Sequence, residues 1–238
     1  MLNLTEEQFF DYINCPALYD FKYNKNIKIN KSIKITNILS SISNAYYLYV
    51  LNNKNVPSLS YLTKKYESIY LKHKEEIPEK KFTEGLLLLR NFYNWACDEK
   101  IIVIESDAKY NLIYKDIKLE GTMNPIAINK NKQLEFLILN YSSRNIDQLE
   151  LDTKLKYTID IMSFNNEFKD NKIYGIKYHN VKNNKDLIAT RSNIDFERLK
   201  STLLGVYSGI KNNSFYPRES HMCTNCSYRM LCKGWNNN

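Results

Sequence analysis

Four of the five cysteines are spaced for metal chemistry: Cys15 near the start, then Cys223, Cys226 and Cys232 as Cys-x2-Cys-x5-Cys within HMCTNCSYRMLCKG. Four thiolates suit tetrahedral zinc or an iron–sulfur cluster. Structural zinc usually draws its cysteines in two close pairs, whereas a lone first cysteine followed by a tight trio suits a [4Fe–4S] cluster better. Disulfides would leave one of the five thiols over, and two residues between Cys223 and Cys226 make a local bridge awkward. The N-terminal LTEEQFFDY is acidic and amphipathic, unlike a secretory signal, so nothing points to an oxidising compartment. Unrelated cytosolic thiols are the remaining alternative. That is the reading for Cys97, in FYNWACDEK, since a free cysteine packs as a small hydrophobe. A site taking one ligand from one end and three from the other requires a fold that joins the ends.

Around these residues lies a chain of 238 residues, long enough to bury a core without a metal. Its formal net charge is +8 and its isoelectric point about 9.0, with 19 Tyr and 10 Phe. Positive charge with abundant aromatics suits a polyanion, because lysines meet phosphates and rings stack on bases. Lys, Asn, Ile and Tyr are all frequent, as AT-rich coding DNA would produce, so charge alone argues weakly for DNA. No apolar run reaches the roughly 20 residues of a membrane-spanning helix. A soluble cytoplasmic protein is expected. His73, His179 and His221 form no metal-like pair; His221 is two residues from Cys223 but reads as a surface histidine. A phosphate-binding glycine loop is absent from the sequence, so any ATP hydrolysis would belong to a partner.

The elements that must position the cysteines follow from periodicity. Thr5 before Glu6, Glu7 and Gln8 predicts a capped helix over 4–14, and apolar spacing predicts helices over 36–52, 58–73 and 80–98. Strands are predicted over 101–114, 116–129 and 134–143, then a helix over 147–164. Residues 173–181 and 186–192 read as a hairpin, and 194–211 as a last helix. The expectation is an α/β domain with a helical N-terminal part and one mixed, mainly antiparallel sheet.

Three stretches resemble the PD-(D/E)XK nuclease superfamily, in particular RecB-like exonucleases with an iron–sulfur clasp. The AddB-type helicase–nuclease domain and the CRISPR-associated RecB-like nuclease are the most similar groups. INCPALYDFKY looks like their first-cysteine motif, and CTNCSYRMLC matches their trio spacing. KLEGTMNPIAINKNKQLEFLILNYSS looks like their central hairpin, usually glycine-x-x-aspartate followed by aspartate-x-lysine. The resemblance spans nearly the whole chain. It implies one domain over 1–238: a helical part over 1–98, a nuclease-like α/β core over 99–211 with a mixed sheet flanked by helices, and a clasp over 212–238. It also implies a [4Fe–4S] cluster on Cys15, Cys223, Cys226 and Cys232, with zinc the alternative.

In that family the hairpin acids hold Mg²⁺ or Mn²⁺, the metal activates water, and the lysine orients the nucleophile. Here Asn124 stands at the first acid, Asn140 at the second and Ser142 at the lysine. Asn44 stands at an upstream histidine, and Lys154 where a glutamine is common. Asparagine keeps the shape of aspartate without its charge, so these positions should not bind metal or support hydrolysis. Glu105 could supply a displaced acid, whereas Glu120 alternates to the far face of its strand and Glu135 begins its own. The expected function is therefore a catalytically degenerate module that binds single-stranded DNA or duplex ends, or scaffolds a helicase or nuclease partner. Lys22, Lys25, Lys154, Lys156 and Arg191 are its candidate phosphate contacts, and Tyr19 and Tyr157 its candidate stacking platforms. The alternatives are a divalent-metal exonuclease with displaced ligands and a cluster-bearing subunit that never touches DNA.

Overall fold

A computed structural model describes residues 1–29, 33–168, 172–232 and 234. The chain divides into two compact units built from interleaved segments. The first takes Met1–Lys31, Lys109–Gly121 and Asn193–Asn238; the second takes Ser32–Ala108 and Thr122–Ser192.

In the first unit, β1 (Leu2–Thr5) runs straight into α1 (Glu6–Asn14). Thr5 caps that helix: its hydroxyl accepts the Gln8 N–H at 3.2 Å, and the Gln8 side chain accepts the Thr5 N–H at 2.8 Å. Helix α1 stops where Cys15 turns extended, and Pro16 then opens the short α2 (Pro16–Tyr19), a position where its missing N–H costs nothing. A π-helical turn, Asp20–Asn24, follows. A three-stranded sheet is ordered β1, β4 (Ile117–Thr122), β3 (Lys109–Tyr114), with β1 parallel to β4 and Leu2 opposite Ile117. The last helix of the chain, α8 (Asn193–Lys211), meets α1 where Gly209 lies against Tyr12. The Tyr12 hydroxyl donates to the Ser214 carbonyl at 2.8 Å and so fixes the segment that leads to the cysteine trio.

The second unit carries a five-stranded sheet in the order β2 (Ile102–Glu105), β5 (Ile126–Ile128), β6 (Leu134–Asn140), β7 (Ile173–Asn180), β8 (Lys185–Ala189). Only β6 and β7 pair in parallel, and α6 (Gln148–Thr153) and α7 (Leu155–Glu167) lie between them in the chain. Successive side chains of a strand point to opposite faces. Phe136 accordingly meets Phe164 of α7, with ring centroids 6.3 Å apart. Leu137 joins the cluster formed by α3 (Ile35–Asn53), α4 (Leu59–Lys72) and α5 (Glu79–Asp98). Helices thus flank the sheet on both faces.

The α/β expectation holds in this coarse form, but with two sheets in place of one. Segment 101–114 breaks at Asp107, which adopts a left-handed φ of 64°. Segment 116–129 breaks at Met123–Asn124–Pro125, where proline withdraws a ladder donor and pushes its predecessor toward extended backbone. The two halves of each segment join different sheets. Helix 147–164 is likewise split at Lys154, whose backbone is extended.

Candidate metal centre and degenerate acid positions

Cys15, Cys223, Cys226 and Cys232 all line one cavity of about 200 Å³ in the first unit. Cys15 arrives on the α1–α2 junction. Cys223 lies in a 3-10 turn, His221–Asn225, capped by the Ser220 hydroxyl. A second 3-10 turn, Arg229–Leu231, delivers Cys232. Between the turns the Tyr228 ring stacks on Phe21 at 5.8 Å and its hydroxyl donates to the Ile27 carbonyl at 2.8 Å, which pins the loop. Two backbone N–H groups point at sulfur: Arg218 at Cys15 Sγ and Ser220 at Cys223 Sγ, both at 3.4 Å. Such donors stabilise a thiolate and help tune a bound centre. The Arg218 guanidinium also donates to the Ile13 carbonyl. Among the described residues, no three His, Cys, Asp or Glu side chains converge on a point where a single ion would sit. Cys97 belongs to the second unit, in α5, and His221 is exposed.

In the second unit the substituted positions are engaged as neutral groups. The Asn140 carbonyl oxygen accepts the Ser142 N–H at 3.0 Å and the Ser142 hydroxyl at 2.8 Å, while its amide donates to the Arg144 carbonyl at 2.8 Å. These two residues close a turn after β6, the usual local role of such side chains. Asn44 accepts from the Ser106 hydroxyl at 2.7 Å and donates to Asp107 at 2.5 Å. Glu105 ends β2, where its carboxylate accepts the Ser106 N–H at 3.0 Å. Asn124 donates to Asp160 Oδ2 at 2.6 Å. Asp160, on α7, is fully buried, and Lys156 one turn earlier reaches its Oδ1 at 2.7 Å. The sequence reading passed over Asp160. Its signal was present: a lone aspartate four residues after a lysine, in an otherwise apolar helix stretch.

Glu120 lies on β4 in the first unit, in an ion pair with Lys118. Glu135 is buried at the start of β6, and burial raises its pKa despite a hydrogen bond from Asn129. His179, also buried, sits 2.6 Å from Asp186 and stacks on Trp95 at 4.0 Å. Burial works against the Asp186 charge, but His179 and Lys177 outweigh it and hold the carboxyl below its ordinary range.

The predicted phosphate and base contacts are differently placed. Lys22 is only 20 % exposed and lies 2.6 Å from Glu7 and 2.7 Å from Asp11. Burial pulls its pKa down, yet the hydrogen bonds to Asp11 and Glu7 prevail and raise it. Lys25 pairs with Asp20 at 2.7 Å but keeps much of its side chain in solvent, and Lys154 lies 3.8 Å from Glu150 with half its side chain exposed. Arg191 serves backbone geometry: it donates to the carbonyls of Leu151, Lys154 and Thr190 and to the Thr158 hydroxyl. Tyr19 and Tyr157 are 6 % and 7 % exposed, so neither offers a face on which a base could stack. Tyr19 stacks on Phe215 at 5.9 Å.

The architecture has a solved counterpart. A crystal structure of a candidate exonuclease from Eubacterium rectale superposes with a TM-score of 0.60 at 8% identity, over 95% of this chain and 87% of that one. The two proteins share a mixed α/β fold. A crystal structure of a protein designated SSO0001 aligns over 98% of this chain and 95% of that one at 11% identity, but its TM-score of 0.40 is too low to argue from. No family model and no curated protein sequence matches the chain. No helix among the described residues is long and apolar enough to cross a membrane.

Proposed function

We propose that this chain is a catalytically degenerate RecB-like member of the PD-(D/E)XK superfamily that binds DNA or holds it for a partner enzyme. The observation that carries the reading is the state of Asn124, Asn140 and Ser142. All three occupy the metal and lysine positions of the resemblance as uncharged side chains already committed to hydrogen bonds. Water activation by a hard cation needs anionic oxygen ligands there, and these residues supply none.

A [4Fe–4S] cluster on Cys15, Cys223, Cys226 and Cys232 is part of the same proposal. Support comes from the single cavity that the four thiols line and from the N–H groups aimed at two of the sulfurs. Such a centre would tie α1 to the segment after α8 and supply structure, with no part in hydrolysis.

The test is anaerobic purification followed by iron and sulfide analysis, then binding and cleavage of end-labelled single- and double-stranded DNA with Mg²⁺ and Mn²⁺. Salt-sensitive binding without cleavage is expected, since phosphate contacts release counterions. Metal-dependent cleavage abolished by Glu105→Gln would overturn the reading in favour of an exonuclease with displaced ligands. Salt-insensitive or absent binding would move the protein to a role away from DNA.

A further inference from the structure

The side chains around Asn124 form a cation site with an occupant supplied by the protein. Lys156 Nζ lies 2.7 Å from the Thr122 carbonyl oxygen and 2.7 Å from Asp160 Oδ1. Asn124 closes the other side of the same carboxylate at 2.6 Å from Oδ2. Thr122 and Asn124 flank Met123, whose N–H donates to the Ala108 carbonyl at 2.7 Å, so the strand end carrying both is anchored. Helix α7 spaces Lys156 and Asp160 one turn apart on the same face. A backbone carbonyl, a carboxylate and a side-chain amide are the oxygen donors that hard divalent cations take. We infer that Lys156 is a tethered cation masking a divalent-metal site made by Thr122, Asn124 and Asp160, and that the wild-type protein binds no ion there because the ammonium already does.

This deepens the degenerate-site reading, on which it rests for the assignment of Asn124 to the acid position. It adds that the fold's ionic centre has been made internal. Asp160 has no solvent exposure and the Lys156 side chain only 18 %, so a hydrated ion reaches the carboxylate only when the ammonium is gone. Asparagine can then turn its carbonyl oxygen inward, since its amide group has both a donor and an acceptor end.

Mn²⁺ binding, read by electron paramagnetic resonance on the full-length protein, tests this. Wild type and Lys156→Arg should show no saturable site at millimolar Mn²⁺. Lys156→Met should gain one site at least tenfold tighter than any wild-type binding, and Lys156→Met/Asp160→Asn should lose it. A wild-type site that disappears in Asp160→Asn, or a folded Lys156→Met protein without a site, overturns the inference. If Lys156→Met does not fold unaided, it is refolded with and without Mn²⁺: a yield that rises with the metal supports the site, and an indifferent yield refutes it. DNA binding is measured on the same preparations. Its absence alongside the expected Mn²⁺ behaviour would overturn the function proposed above and leave the tethered cation standing.

Discussion

Restoring the missing acid should damage the protein before it restores any chemistry. In Asn124→Asp, a carboxylate replaces the amide that donates to Asp160 Oδ2 at 2.6 Å. Two carboxylates at that distance do not both stay ionised, and Lys156 on Oδ1 favours leaving the charge on Asp160. The proton therefore goes to residue 124, where the new carboxyl can donate along the old hydrogen bond. Protonating an ordinary aspartate at pH 7 costs about 4 kcal/mol, from roughly 3 pH units at about 1.4 kcal/mol each. If the side chain swings away instead, the loss of a hydrogen bond to a charged group costs about 1.5–3 kcal/mol. The cheaper route sets the cost, so the expected destabilisation at pH 7 is about 1.5–3 kcal/mol. The sign with pH is fixed, because the folded pKa of residue 124 would lie above its unfolded value, so the penalty develops as pH rises above the unfolded value. At pH 5 protonation costs only about 1.5 kcal/mol, which caps the penalty there. Urea unfolding of both proteins at pH 5 and pH 7 reads this directly. A variant as stable as wild type at pH 7, or a deficit that fails to shrink in acid, would refute the proposed Asn124–Asp160–Lys156 arrangement.

Three further outcomes follow from the same geometry. Arg191→Met should lower the stability of the second unit by about 2–3 kcal/mol, since several hydrogen bonds of roughly 1 kcal/mol each are lost; the salt slope of DNA binding should not change, whereas a phosphate contact would lower it by about one. Glu135→Gln should stabilise the protein near neutral pH, because the native carboxyl holds its proton more tightly than the unfolded one; the gain should vanish below the unfolded pKa, as comparative melts at pH 4 and pH 7 would show. Gly209→Ala should drive a methyl group into the buried Tyr12 hydroxyl and cost about 1–3 kcal/mol, with thermal denaturation as the readout.

The legible parts of this chain were those encoded by neighbours in sequence. The Thr5–Gln8 cap, the α3, α4 and α5 helices and the β5–β6 hairpin follow from periodicity and short spacing, which survive whatever the chain packs against. The cysteine trio was likewise a local pattern. The two strand breaks were harder to see, because an apolar run reads the same whether it serves one sheet or passes between two. Pro125 marked the second break. Asp107 marked the first only through a backbone angle that aspartate tolerates. The surroundings of the charged side chains were hidden for a different reason. Lys22 and Arg191 looked free on the page because their partners lie well away along the chain, Lys22 with Glu7 and Asp11 and Arg191 with Leu151 and Thr158. Asp160 was half legible: its spacing from Lys156 is local, but its other partner, Asn124, comes from a distant strand end.

The interleaving of segments has a consequence for biosynthesis. The ribosome releases residues 32–192 in nearly one stretch, interrupted only by Lys109–Gly121, so the five-stranded sheet with α3 to α7 can assemble while the chain is still being made. Strand β1 must wait for Ile117–Glu120 before it has a ladder partner, and α1 waits for α8 and the Ser214 carbonyl that Tyr12 grips. The segment made before the second unit is thus completed only by segments that follow it. During that interval Tyr12 and Tyr19 lack Phe215, the later ring that both meet in the finished unit. Slow translation or a stop codon shortly before Asn193 would leave this segment exposed to proteases.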